Sequence, residues 1–160
     1  MIFWYAAGAV FLVWNVFQSP GLDLRAIAAG ALLPLVLDAP FAEQAYAHAL
    51  LAPILALTVV MLATMGRGHR LVRRRLLGIP IGWFCGLVLA GSWAHREVFW
   101  WPLFGFDRPH VALLPPLGVV VVEEAVGILA AAWCYRRFGL RDRARREQLL
   151  RTGRASVVSS

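Results

Sequence analysis

Few ionisable side chains of this 160-residue chain fall inside apolar sequence, and those few define the chemistry open to it. Asp38 closes an apolar run just before Ala39-Pro40, and His48 follows ten positions later. Glu123 and Glu124 sit together in the apolar stretch after Pro115-Pro116. Between these sites lies a loop with His95, Arg96, Glu97, Asp107, Arg108 and His110. Carboxylates with imidazole are the ligand chemistry of a divalent metal such as Zn or Mn. Asp38 and His48 are the candidate metal ligands, and Glu124 is the candidate catalytic residue, as a further ligand or as general base. A metal with one open position turns a bound water into a hydroxide nucleophile. Plainer roles stand beside this one. Asp38 can mark a helix end, His48 an interfacial hydrogen bond, and one glutamate a partner for Arg96. Adjacent glutamates on a helix diverge by about 100°, so only one faces a site squarely. His69, in a basic loop, reads as solvated.

The elements that must position these groups are apolar. Sixty per cent of the residues are hydrophobic, 16% are charged, and mean hydropathy is +0.66. This excludes a disordered chain, and two cysteines exclude a disulfide scaffold. Cys85 and Cys134 read as small buried apolar residues. All 16 basic residues are Arg, against 9 acids, for a net charge of +7. Thirteen of the 16 lie in the 66–75 loop and after Tyr135, so the charge records membrane topology rather than nucleic-acid binding.

Five apolar segments are marked: 2–17, 24–37, 45–65, 76–93 and 117–135. The first lacks the basic start and the small-residue cleavage site of a signal peptide. The second contains Pro34, and its uncharged part, 26–37, is shorter than the about 20 residues of a full span. It is therefore a short or tilted span with Arg25 reaching the interface, or a re-entrant piece. The expected fold is an all-α polytopic integral membrane protein of five transmembrane helices, or four plus a re-entrant segment. Residues 1–137 form one helical membrane domain, and 138–160 a basic cytoplasmic tail suited to anionic headgroups. The Arg-rich 66–75 loop and the tail face the cytoplasm, in a bacterial inner membrane. Asp38, His48 and Glu124 then belong to the outer half, with Glu124 about 10 Å below the outer end of its helix.

One stretch resembles a known family. Asp38, then His48 with Ala49-Leu50-Leu51, then a glycine-rich span running into Phe99-Trp100-Trp101-Pro102-Leu103, is similar to the small bacterial membrane-bound metal-dependent hydrolases. The likeness is best over 77–105 and looser over 30–137. It implies a metal-dependent hydrolase acting at the outer leaflet on a lipid or envelope substrate. It also implies a His-x-x-x-Asp ligand pair, but Gly86 and Ala90 stand at those two positions, and Glu43 replaces a further His. A degenerate or inactive relative fits that pattern.

Two other classes remain open. One is a non-catalytic membrane protein that binds a lipid or a partner subunit, or forms a homo-oligomer. Gly82, Gly86, Ala90 and Gly91 lie on a face that lets another helix approach. The other is a small proton-coupled transporter using Glu124. No GxGxxG, P-loop, GxSxG or HExxH pattern is present.

Overall fold

The computed structural model describes residues 1–17, 22–66, 70–103 and 111–153. Among them the regular structure is all-helical, apart from one isolated antiparallel bridge between Glu43 and Ala112. The helices are α1 (Ile2–Phe17), α2 (Leu24–Asp38), α3 (Leu51–Ala63), α4 (Arg70–Leu76), α5 (Gly78–Leu89), α6 (Arg96–Phe99), α7 (Leu117–Arg137) and α8 (Arg143–Thr152). Two are long and apolar enough to cross a membrane: Leu24–Phe41, which is α2 with the 3₁₀ turn after it, and Leu117–Arg137.

Sequence explains the helix ends. The Asp23 carboxylate accepts from the amides of Arg25 and Ala26 at 3.0 and 3.3 Å, capping α2. Pro116 precedes α7, where a missing amide costs nothing. Asp142 caps α8, and Gly153 ends it in the left-handed region at φ 70°. Pro34 sits inside α2 without dividing it, so this segment is one continuous helix that does not double back.

Helix directions follow from pairwise packing. Phe11 stacks edge-on against Trp133, Trp14 does so against Phe138, and Phe3 and Trp4 lie over Gly127, so α1 and α7 run parallel. Gly82 faces Ile27 and Gly86 faces Ala31, so α2 and α5 also run parallel. Gly8 meets the Leu89 side chain, which sets α1 antiparallel to α5. One end of the bundle, the upper end, thus gathers the start of α1, the ends of α2 and α5, and the start of α7. The lower end gathers α4, the start of α2 and the end of α7. The core between them is Tyr5, Ala9, Val13 and Trp14 of α1, Leu24, Ile27 and Ala31 of α2, and Cys134 and Phe138.

Gly78, Gly82 and Gly86 recur every fourth residue and so share one face of α5. That face is pressed onto α2. A Cβ on Gly86 would stand 2.5 Å from the Ala31 carbonyl oxygen, and one on Gly82 would meet the Ile27 carbonyl closer still. The small-residue face expected to receive another helix therefore receives α2 of the same chain.

Three sequence expectations shift in detail. The 45–65 segment becomes helical only from Leu51, because Pro53 belongs in a first turn. His48 consequently lies in a 3₁₀ turn (Tyr46–His48) above α3, not one turn inside it. The basic loop is helical over α4, and Leu77 continues the backbone ladder into α5, its amide bonding Arg73 O at 2.9 Å. The tail contains α8, which docks under α2: Leu24 N–H donates to Gly153 O at 2.8 Å, and the Arg25 guanidinium to Leu150 O at 2.6 Å.

Candidate functional site

The polar centre of the molecule is built at the upper end, where α2 stops. Asp38 is its last residue. Pro40 lies in the following 3₁₀ turn, and Ala42 takes a left-handed conformation at φ 54°, which reverses the chain. The returning strand of loop is held by Gln44 N–H to Val111 O at 2.8 Å. It passes back across the Asp38 carboxylate. Oδ2 accepts from Ala45 N–H at 2.7 Å and pairs with His48 Nδ1 at 2.6 Å, and Oδ1 accepts from Ala47 N–H at 3.2 Å. A carboxylate that takes two backbone amides is an acceptor, so His48 Nδ1 carries the proton. Both residues are 2% exposed. Trp83 Nε1–H donates to Ala47 O at 2.9 Å, bracing the loop from α5, and Leu50 N–H donates to Phe99 O at 2.8 Å.

The two candidate metal ligands named from the sequence lie together in the fold, bonded to each other. A carboxylate on Nδ1 fixes an imidazole's ring and tautomer, which is the arrangement that backs a metal-binding or basic histidine. The rest of a metal shell is not gathered around it. Both Asp38 oxygens are committed to protein donors, and no group of three His, Cys, Asp or Glu comes together among the described residues. Among the described residues, the side chains gathered here do not make up the ligand set that the resemblance implies. Where that set has its His-x-x-x-Asp pair, Gly86 is pressed on Ala31 and Ala90 packs on the core.

Glu124 is also at the upper end, but it serves α1. Its carboxylate lies 3.0 Å from the Met1 amine and accepts from the amides of Phe3 and Trp4 at 3.4 and 3.3 Å. Negative charge at a helix N-terminus answers the unsatisfied amides there. Among the described residues its hydrogen bonds go to that turn, none to the Asp38–His48 pair and none to Arg96. Glu123 keeps one buried oxygen, Oε2, without a hydrogen-bond partner. His95, Arg96 and Glu97 are exposed around α6. His69, Asp107, Arg108 and His110 lie outside the described residues, as does the 104–106 part of the aromatic loop.

A second feature escaped the sequence. Helix α3 leans on α5 and stands away from α1, and among its own residues only Pro53 is buried. Between α1 and α3, floored by α5, runs a cleft of about 560 Å³. Val13 and Val16 form one wall, Leu50, Ile54 and Leu57 the other, and Phe84 belongs to the floor. The lining is entirely apolar. Its volume falls inside the roughly 300–1,000 Å³ of small-molecule sites. Leu50, two residues after His48, is its uppermost wall residue, so the polar pair stands at the head of the cleft. No signal in the sequence separates these aliphatic side chains from others that face lipid.

No family model, no curated protein and no solved structure matches this chain.

Proposed function

We propose that this is a non-catalytic membrane protein with five spans, which holds a lipid chain in the cleft between α1, α3 and α5. The cleft carries the reading. It is a wholly apolar space of about 560 Å³ that the helices leave unfilled by protein, and it opens on exposed apolar faces such as Ile54 and Leu57. Five spans are supported by direction: α1, α2, α3, α4–α5 and α7 alternate between the two ends. The Arg of α4, of the end of α7 and of α8 all gather at the lower end, which the positive-inside rule places in the cytoplasm. The upper end, with Asp38 and His48, is then external, in a bacterial inner membrane.

Native mass spectrometry of the purified protein tests the binding. Leu57→Trp fills the cleft from α3 and is expected to lower retained phospholipid at least fivefold. Val121→Trp, on the exposed face of α7 and away from the cleft, leaves retention unchanged. Equal retention in both variants removes the reading.

A hydrolase-like enzyme is the second reading, and the Asp38–His48 pair is the observation in its favour. It requires a bound ion in the purified parent chain that is lost in both Asp38→Ala and His48→Ala. A parent chain without metal removes it.

A further inference from the structure

Resting on the lipid reading of the cleft, we propose that its ligand is an anionic phospholipid of the Arg-rich leaflet, with the phosphate held by Arg73 and Arg74. The argument is one of helix phase. The cleft floor is Pro80, Ile81, Phe84, Cys85 and Val88, a single face of α5. Two backbone rungs cross the α4–α5 junction, Leu77 N–H to Arg73 O at 2.9 Å and Ile81 N–H to Leu77 O at 3.3 Å, and Leu77 itself lies in the right-handed helical region. At about 100° per residue the same face continues downward through Leu77 to Arg73 and Arg74, while Arg75 points to the other side. Arg73 and Arg74 stand seven residues below Pro80 and Ile81, about 10 Å along the axis. Apolar floor and cationic foot are therefore one continuous strip.

Among the described residues no carboxylate offsets the charge at that foot. Helix α4 contains no acid, and no carboxylate pairs with Arg73 or Arg74 among the described residues. Arg74 is exposed and Arg73 half-buried. Two guanidinium groups suit a phosphodiester, to which each can present paired N–H donors. An acyl chain lying along Leu57 and Phe84 would carry its headgroup to this position. A lipid that merely fills an apolar gap would show no headgroup preference.

The test compares phosphatidylglycerol and phosphatidylcholine with identical acyl chains, titrated into delipidated full-length protein and read by native mass spectrometry. Each Arg near the headgroup is expected to contribute about fivefold, so phosphatidylglycerol is retained about 30-fold better. Arg73→Gln and Arg74→Gln each reduce that preference about fivefold, and Arg75→Gln leaves it intact. Leu57→Trp lowers retention of both lipids. Equal retention of the two lipids by the parent chain overturns the headgroup assignment, and so does a loss in Arg75→Gln equal to that in the other two. Either result stands apart from failure of the cleft itself, in which Leu57→Trp changes nothing.

Discussion

Substituting Gly86 by Ala adds one methyl group where two backbones nearly touch. Its carbon would stand 2.5 Å from the Ala31 oxygen and 3.2 Å from the Ala31 carbonyl carbon. Ordinary contact begins near 3.4 Å, so α2 and α5 must part by about 0.9 Å. A radial gap of about 0.5–1 Å forfeits a quarter to a half of the dispersion well for the atoms facing it. Inside a bilayer close packing is a main force holding helices together, because lipid tails are as apolar as the side chains. The expected loss is about 1–3 kcal/mol, the usual cost of an overpacked core. For a chain of this size that is a fall in midpoint of about 2–12 °C. The assay is thermal unfolding in detergent followed by the size-exclusion peak. Gly118→Ala is the control, since its added carbon meets nothing within 4 Å in the first turn of α7. Its midpoint should hold or rise slightly, because Ala is the better helix former. If Gly86→Ala melts with Gly118→Ala, the close approach of α2 and α5 is refuted. The same geometry predicts that Gly86→His with Ala90→Asp yields a misfolded chain and not a metal centre.

Three further outcomes are expected. Asp38→Ala strands the amides of Ala45 and Ala47 and the Nδ1 donor of His48, at about 1–3 kcal/mol per buried group, and limited proteolysis should open the 42–50 loop; an intact loop refutes the role given to Asp38. Glu124→Gln weakens the cap on α1 by about 0.3–2 kcal/mol and lowers the melting midpoint, whereas Glu123→Gln, which already has a partnerless oxygen, should be neutral or stabilising; equal losses contradict the assignment. Arg25→Ala removes the clamp on Leu150 O and should expose 143–152 to trypsin, while Arg145→Ala, outside that clamp, should not.

The all-helical character was legible because long apolar runs, interrupted by Pro, Gly and Arg clusters, favour helices and leave no alternating strand pattern. Asp38 and His48 were legible for a local reason: a proline turn brings residues ten apart back into contact. The start of α3 was not legible from hydropathy: Pro53 favours a first-turn position, but Pro34 inside α2 shows that a proline alone does not decide where a helix begins. Gly78, Gly82 and Gly86 announce a close approach without saying which helix arrives. The partners of Glu124 were not legible, for a deeper reason. Its partners are amides of α1, and any backbone can supply amides, so nothing in the side-chain sequence marks them. The cleft depends on how far one helix leans, which is a property of packing and not of composition.

The attachment of α3 has a mechanical consequence. This helix is fastened at its head by the His48 pair and the Leu50 amide, while its flank rests mainly on α5. A wall held in that way is a door on a pin. The two bonds at its head tie its upper end to Asp38 of α2 and Phe99 of α6, beside the opening toward α1. On the lipid reading proposed above, loosening Asp38–His48 should change which acyl-chain lengths the cleft retains, although neither residue lines it.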